Sequence, residues 1–401
     1  MKARVLSRVS LVWEDAIPSS SALLPAGFSE EDAEVLLGRG HARVLRAGDS
    51  GECTAELTLS AEGTEHLRVL WCHSRVKRQT GAVAQGAARL GGEVEVTVFV
   101  TAGGLPFPLV GSVPFSAEIS VQDAEAGDSL LWDGVIHSVE ITPQTTEDGT
   151  ELFVEAAYSL WCTVGGDCPV SYVQDLYGTR RHLKVEGTER VLCAFSEILA
   201  TTATATLGRR AEGEEKECIS VLDAVAHATD VQTAVGRGGV TVTGEWEVDA
   251  ILVSHEEGRL LPARGCVPFS VELPHGEGRA LSVDRVLVAP LSVSATLDGS
   301  DLVFSVETEC RAAVSRRETV KTVKSVSVGD GFEDDGSFAV YYPEAGDSLW
   351  QVAKAYGVSV AAMEKAGGIH AGEGMADHPK SLDGVSFLCI PSKPLANGEE
   401  A

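Results

Sequence analysis

The chain has 401 residues, of which 44% are apolar and 23% charged, and its 32 basic and 59 acidic residues leave a formal net charge of −27. This composition is typical of a folded protein with two to four domains. The acidity argues against nucleic acid or an anionic membrane surface as the main partner, because both require clustered positive charge.

Neither a disulfide framework nor a membrane segment is expected. The nine cysteines are odd in number and include no Cys-x-x-Cys pair, so isolated thiols and no metal site are predicted. No apolar run approaches the roughly 18 residues of a membrane helix. Arg8, Glu14 and Asp15 interrupt the apolar run that a signal peptide would need. These features predict a cytoplasmic protein with no integral membrane segment.

The N-terminal segment, residues 1–60, is predicted to contain a short helix at residues 29–37. Ser29 is a suitable N-cap residue, and the acidic residues that follow it suit the first turn of a helix.

Four blocks of sequence occur twice and in the same order, which predicts a duplicated module. The longest reads Gly-Ser-Val-Pro-Phe-Ser in its first copy and Gly-Cys-Val-Pro-Phe-Ser in its second. The paired blocks are 69–70 with 221–222, 92–96 with 244–248, 111–116 with 265–270, and 148–152 with 298–302.

Each copy alternates apolar and polar residues with the period of a β-strand, as in residues 94–100 and 246–252. The fold class predicted is mainly β, with two duplicated β-sandwich-like modules and a small βααβ domain after them. The modules are placed at 61–165 and 211–326, with a connecting segment at 166–210. The repeated residues are interpreted as core and turns, and the proline of each Val-Pro-Phe block as a strand start or sheet edge. The alternative is a ligand site inside the modules.

After a Gly- and Asp-rich linker at 327–337, residues 338–393 have a different pattern, and residues 394–401 form a polar tail. Ser348 and Gln351 have the spacing of a capping box, and Gly357 suits a left-handed C-cap. Ser359 is expected to cap a second helix. The element order predicted is β-α-α-β.

This C-terminal segment resembles the LysM family. The family pattern is matched by Tyr342, by Gly-Asp-Ser-Leu-Trp at 346–350, by residues 353–359 and by Leu-Cys-Ile-Pro at 388–391. The resemblance implies a module that binds N-acetylglucosamine-containing glycans between two loops. The binding positions carried over from the family are Gly346, Asp347, Ser348, Leu349, Gly368 and Ile369.

The sequence departs from the family pattern in the second of these loops, because the loop formed by residues 369–382 is longer than is usual in the family. Helix capping alone is the alternative role for Asp347 and Ser348. Trp350 is expected in the core rather than stacked on a sugar.

The whole layout resembles SPOCS-domain proteins with a C-terminal LysM domain, which are spore-coat morphogenetic proteins of spore-forming Firmicutes. The resemblance rests on the two Pro-Phe blocks, the strand pattern and the domain order. It implies a scaffold on the mother-cell side of the forespore surface that tethers coat proteins. The LysM domain would then contact a coat basement-layer ATPase or another coat protein.

An enzyme is the less favoured reading, and no catalytic residue, cofactor or metal ligand is assigned. Gly-Asp-Ser-Gly at 48–51 matches a serine-nucleophile tetrapeptide, but Ala-Gly-Asp-Ser recurs at 126–129 and 345–348, which is typical of a favoured turn. Cys72 and His73 are adjacent on a predicted strand and would point to opposite faces. The main alternative function is a cell-wall protein that binds peptidoglycan through its LysM domain.

Overall fold

The computed structural model describes residues 23–25, 32–62, 67–146, 149–255, 259–276, 281–331, 339–367 and 381–391. Within these ranges the protein is mainly β, as predicted. Its contacts divide the chain into two compact units. Among the described residues, unit 1 comprises those within 43–167 and 193–317, and unit 2 comprises the others.

The first six strands form two antiparallel sheets with the orders β2-β3-β4 and β1-β6-β5. Their bounds are β1 Ala33–Glu62, β2 Arg68–Ala84, β3 Ala87–Thr101, β4 Phe107–Ser120, β5 Ser129–Thr146 and β6 Gly149–Gly178. The buried faces of the two sheets share one apolar cluster. The unit 1 parts of these strands are called the first sandwich.

The next six strands have the sheet orders β10-β9-β8 and β11-β12-β7. Their bounds are β7 Arg181–Arg210, β8 Cys218–Gly236, β9 Gly239–Ser254, β10 Leu260–Pro274, β11 Leu281–Asp298 and β12 Asp301–Gly331, with a short 3-10 helix at Gly213–Glu217 before β8. A second apolar cluster fills the space between these sheets. The unit 1 parts of these strands are called the second sandwich.

The central strands β3 and β9 bury the alternate residues that the sequence predicts. The four valines of β3 have no exposed surface, and the four corresponding residues of β9 are at most 2% exposed. These residues are Val94, Val96, Val98 and Val100 in β3, and Trp246, Val248, Ala250 and Leu252 in β9. The period-two prediction is confirmed for both strands.

A glycine–phenylalanine pair joins two of the repeated blocks in each sandwich. Gly92 is the register partner of Phe115, and Gly244 is the register partner of Phe269. A Cβ atom on Gly92 would lie 2.9 Å from Phe115 Cζ, and one on Gly244 would lie 2.7 Å from Phe269 Cζ. Each ring therefore covers the glycine of the neighbouring strand, and the glycine leaves the space that the ring occupies.

The space beside the other repeated glycine, which is Gly111 in the first copy and Gly265 in the second, is filled by a side chain from the facing sheet. A Cβ atom on Gly265 would lie 2.6 Å from the Phe304 ring, and one on Gly111 would lie 2.6 Å from Leu59 Cδ2. The prolines of the same blocks lie inside β4 and β10, which are end strands of their sheets. The edge position was predicted correctly, and the prediction that this proline begins a strand is wrong.

The two sandwiches contact each other through charged side chains. Arg78 of the first sandwich donates to Asp133 at 2.6 Å and also pairs with Glu309 of the second. Arg285 of the second sandwich lies 4.2 Å above the ring of Trp161 of the first. Because the Arg78 side chain is only 9% exposed, these contacts belong to a packed interface within unit 1.

Unit 2 contains the remaining parts of β1, β6, β7 and β12 together with the C-terminal elements. These elements are β13 Ala339–Tyr341, α1 Leu349–Tyr356, α2 Val360–Gly367 and β14 Leu388–Ile390, and β13 pairs antiparallel with β14. The pair of helices fits the predicted element order. No helix among the described residues is long and apolar enough to cross a membrane.

The predicted segment boundaries do not coincide with these units. Residues 166–210, predicted to connect two modules, lie largely in β6 and β7, and residues 327–331 of the predicted linker belong to β12. The remaining linker residues, 332–337, lie outside the described residues, as does the predicted tail.

The helix predicted at residues 29–37 is not formed where the structure describes this segment. Residues 29–31 lie outside the described residues, and β1 begins at Ala33. Val35 packs into one apolar cluster, whereas its neighbour Leu36 packs into another. Adjacent residues that are buried on opposite sides require an extended backbone, and this packing overrides the helix propensity of the local sequence.

Candidate functional site

Three of the six predicted binding residues, Gly346, Asp347 and Ser348, lie between β13 and α1, and a fourth, Leu349, is the first residue of α1. Gly346 has a φ of +92° and an open surface around its Cα atom. Ser348 is the N-cap of α1: its hydroxyl accepts from the Gln351 amide at 3.3 Å, and the Gln351 side chain accepts from the Ser348 amide at 3.0 Å. The predicted capping box is therefore confirmed. The C-cap prediction is also confirmed, because Gly357 has a φ of 63°.

Asp347 is occupied by hydrogen bonds within its own loop. Its carboxylate accepts from the Tyr341 hydroxyl at 2.6 Å and from the Glu344 amide at 2.8 Å. The bond from Tyr341 lowers the pKa of Asp347, and the same bond raises the pKa of Tyr341 to about 12. The Asp347 carbonyl accepts from the Leu382 amide at 3.0 Å. Asp347 therefore ties the loop before α1 to the segment before β14.

The other predicted positions divide between the core and the part of the chain that is not described. Leu349 is 1% exposed and belongs to the apolar cluster under α1. Gly368 and Ile369 lie outside the described residues. Among the predicted residues that the structure describes, only Gly346 and the outer atoms of Asp347 and Ser348 present a surface that a ligand could contact.

Trp350 is buried, as predicted, but its contacts lie on a strand far away in sequence. Its indole ring packs edge-to-face on Tyr177 of β6, with 4.9 Å between ring centroids, and its Nε1 donates to Asp175 Oδ2 at 3.0 Å. The Lys354 ammonium donates to both oxygens of the same carboxylate at 2.6 and 2.7 Å. One carboxylate thus fixes two successive turns of α1 to β6.

Two further contacts hold the second helix in unit 2. The Tyr177 hydroxyl donates to the carbonyl of Val358 at 2.8 Å. Burial raises the pKa of Glu34 on β1, and a hydrogen bond from the backbone of Val360 partly opposes that shift. The C-terminal helices therefore pack on β1 and β6 through specific polar contacts as well as through apolar burial.

Unit 1 contains a cleft of about 640 Å³ that the sequence did not indicate. Its walls come from edge strands of the second sandwich and from the outer face of β2 and β3 of the first. We call it the edge cleft. Its lining consists of His73–Arg75, Glu95, Thr97, Val110, Val221–His227, Pro290 and Ser292–Ala295.

Asp223 is the most constrained carboxylate in the edge cleft. It accepts from the Trp71 indole at 3.0 Å and lies 3.2 Å from Nε2 of His73. Burial raises the pKa of Asp223, but the bonds from His73 and Trp71 outweigh it and leave the pKa below its ordinary value. Asp223 therefore stays ionised and is held in one orientation.

A second ion pair lies beside it on the first sandwich. Glu95 accepts from Arg75 at 2.7 Å and also pairs with Lys77. Arg75 reaches across the cleft and donates to the Leu291 carbonyl at 2.9 Å. Burial raises the pKa of Glu95, and the two cations lower it further than burial raises it. The charged side chains that line the cleft thus largely neutralise one another.

The motifs considered for catalysis have structural roles. Ser50 lies inside β1 and accepts from the Leu160 amide at 3.0 Å, and its neighbour Gly51 has a φ of +67°. Cys72 packs against the core of the first sandwich, whereas His73 faces Asp223 in the cleft. The two adjacent side chains therefore point to opposite faces, as predicted.

Neither the cysteines nor the acidic and histidine side chains form a metal centre in the described part of the chain. All nine cysteines are described and are free thiols. Comparison of the chain with protein-family models, with curated proteins and with solved structures finds no match. The possible function is therefore argued from the geometry and from the sequence motifs.

Proposed function

We propose that this protein is a non-enzymatic scaffold of the spore envelope that tethers coat proteins at the forespore surface. The proposal combines the motif resemblance of residues 338–393 to LysM domains with two β-sandwich-like modules whose strand orders repeat. We interpret the second six strands as a duplicate of the first. A coat basement-layer ATPase or another coat protein is the proposed partner.

The observation that carries this proposal is the fixed position of α1 on β6. Trp350 and Lys354 both bind Asp175, so the C-terminal elements are packed within unit 2 rather than carried only by a linker. Three of the predicted glycan-contacting residues serve the fold: Asp347 ties two segments, Ser348 caps a helix and Leu349 is buried. Because these loop residues already serve the fold, we favour a protein partner over a glycan.

The alternative function is binding of N-acetylglucosamine glycan in peptidoglycan. It is favoured by the open surface at Gly346, which a bound sugar could approach. The full chain can be sedimented with insoluble peptidoglycan and compared with Gly346→Trp. Gly103→Trp is the matched control, because Gly103 is also open and has a similar φ of +90°. We expect no sedimentation of any of the three proteins. Sedimentation that only Gly346→Trp abolishes would favour the glycan-binding function.

The scaffold proposal is tested in sporulating cells with a fluorescent fusion. The full chain is compared with a chain that ends before β13 and with the undocked variant Trp350→Ala. We expect the full chain to surround the forespore and both altered chains to lose that localisation. Normal localisation of the shortened chain would contradict the proposal.

A further inference from the structure

The two-stranded sheet of the C-terminal elements has one covered face and one open face. Tyr341 and Leu388, which are register partners, pack with the helices in one apolar cluster. The neighbouring register pair is Val340 with Cys389. These two residues point to the other face, because side chains alternate along a strand. Helices α1 and α2 therefore cover only one face of this sheet.

Two aromatic side chains extend the open face beyond the paired residues. Tyr342 directly follows β13 and is 71% exposed, and Phe387 directly precedes β14 and is 54% exposed. Because Tyr342 precedes Pro343, its backbone is restricted to extended conformations, and the alternation of β13 continues through it. Continuing the register of the two strands places Tyr342 opposite Phe387. We call Val340, Tyr342, Phe387 and Cys389 the aromatic patch.

The aromatic patch lies outside the contacts that hold the C-terminal elements in unit 2. Helix α1, which packs on the covered face of the sheet, carries Trp350 and Lys354, and both bind Asp175 of β6. Tyr342 has the largest exposed fraction of any large apolar side chain in the described part of the chain. Contiguous exposed apolar side chains of this kind mark interaction sites.

The area of the aromatic patch argues against a second copy of the chain as its occupant. A fully buried tyrosine or phenylalanine removes about 150–250 Å² from solvent, so the exposed fractions of Tyr342 and Phe387 correspond to roughly 250 Å². A stable interface buries about 800 Å² on each partner. The patch therefore suits the anchoring side chain of a short segment rather than a complete dimer interface.

The charges beside the aromatic patch indicate the character of that segment. The loop after β13 carries Glu344 and Asp347, and the turn before β14 carries Asp383, which accepts from an amide of the same loop at 3.4 Å. Residues 342–348 and 381–387 contain no lysine or arginine. A segment with basic residues beside its apolar anchor is therefore favoured, because its charge is complementary and its cation can lie over an aromatic ring.

We propose that the aromatic patch binds a short basic segment of a partner protein, anchored by one aromatic or long aliphatic side chain. The anchor packs against Tyr342 and Phe387, and the basic residues beside it pair with Glu344 and Asp383. A sugar ring can stack on the same rings, but Val340 and the other apolar side chains offer few hydrogen-bond partners for its hydroxyl groups. This proposal rests on the scaffold function above and names the surface that the protein partner contacts.

The experiment screens displayed random dodecapeptides on the full chain, with counter-selection on the double variant Tyr342→Thr, Phe387→Thr. Threonine suits an extended backbone and both replaced side chains are exposed, so the double variant should fold. We expect enriched peptides to combine an apolar anchor with lysine or arginine. A fluorescent copy of an enriched peptide should bind the double variant at least about tenfold more weakly, since a few aromatic anchors carry most of the binding energy of an interface.

Two further variants separate the anchor from the charge. Phe153→Thr is the matched control, because Phe153 is an aromatic residue of β6 in unit 1 that is 45% exposed, and it should bind the peptide like the unmodified chain. Glu344→Lys should weaken binding about threefold at low ionic strength, and the difference should disappear at about 1 M salt, where charges are screened within about 3 Å. If circular dichroism shows that the double variant does not fold, Phe387→Thr alone replaces it.

Four results would overturn the proposal. The first two are an absence of enrichment over the counter-selection and equal binding of the peptide to the unmodified chain and the double variant. The third is sedimentation with peptidoglycan that the double variant abolishes, which would assign the patch to a glycan. The fourth is dimerisation that the double variant abolishes, which would assign it to a second copy.

Failure of this proposal is distinguishable from failure of the scaffold function. If the screen fails but the full chain surrounds the forespore, only the aromatic patch is rejected as the partner surface. If the peptide binds as expected but the full chain does not localise to the forespore, the scaffold function is rejected.

Discussion

The two sandwiches have the same strand order but differ where their sheet edges approach each other. In the first sandwich, Trp132 of β5 occupies the space beside Gly81 of β2, and Val76 of β2 occupies the space beside Gly134 of β5. Between β8 and β11 of the second sandwich, small residues leave the edge cleft. Glycines on the facing edge strands of the first sandwich thus leave space for Trp132 and Val76, whereas the residues of β8 and β11 that line the edge cleft are mostly small.

The largest expected effect compares the two cores. Phe304→Ala in the second sandwich removes a ring with no exposed surface, and Leu152→Ala removes a fully buried side chain in the first. Cavity formation should lower the free energy of unfolding by about 3–5 kcal/mol for Phe304→Ala and by about 2–5 kcal/mol for Leu152→Ala. Urea unfolding followed by fluorescence measures both changes.

This pair also tests whether the sandwiches unfold together. The charged interface between them predicts one transition that both variants shift to lower urea. Two separate transitions, each shifted by only one variant, would show that the sandwiches are independent and would contradict that expectation.

The next largest effect is expected when a substitution breaks the contact between the sandwiches. Arg78→Met leaves Glu309 and Asp133 without their shared cation at a site where the arginine side chain is 9% exposed. We expect a loss of about 3 kcal/mol in the free energy of unfolding. Arg89→Met is the control, since the Arg89–Glu118 pair is largely exposed and should be worth less than about 1 kcal/mol. Equal losses in the two variants would argue against a buried interface.

A smaller effect tests the glycine–phenylalanine pairs. Gly92→Ala places a methyl group against Phe115 and the Lys77 carbonyl, and Gly244→Ala places one against Phe269 and the Thr229 carbonyl. Each should destabilise the protein by about 1–3 kcal/mol through overpacking. The matched control is Gly104→Ala, because a Cβ atom there meets open space. Thermal unfolding should show a lower midpoint for the first two variants and little change for the control. A neutral result at only one of the two sites would reveal unequal packing in the two halves.

The smallest effect concerns pH. Burial raises the pKa of Glu309, but Arg78 and Arg311 lower it below the ordinary value of 4.5. A carboxylate with a lower pKa in the folded state contributes stability above its unfolded pKa, and that contribution is lost as pH falls through the folded value. Stability of the unmodified protein should therefore fall below about pH 5. Glu309→Gln should reduce this slope in urea titrations at several pH values. An unchanged slope would mean that the ion pair contributes no pH dependence.

Sequence predicted local features well and distant contacts poorly. The alternation in β3 and β9 and the capping box at Ser348 follow from nearest neighbours, and the structure confirms them. The strand at Ala33 was mistaken for a helix because its burial on both sides depends on remote residues. Asp175, which receives Trp350, is 175 positions away. The edge cleft was equally hidden, since its walls come from separate repeats that meet only after the sandwiches pack.

The matched glycine–phenylalanine pairs have a consequence for the refolding of the chain. A shift of one residue would turn every side chain of a strand to the other face. The pairing of Gly92 with Phe115 therefore fixes how β4 aligns with β3, and the pairing of Gly244 with Phe269 fixes how β10 aligns with β9. Both halves use the same residue types at this point, so β4 can also align with β9, and β10 with β3. We expect refolding from denaturant to populate such cross-paired chains transiently. A shorter loop between β3 and β4 should suppress the cross-paired chains. The hairpin of β3 and β4 would then form faster than β4 could pair with β9.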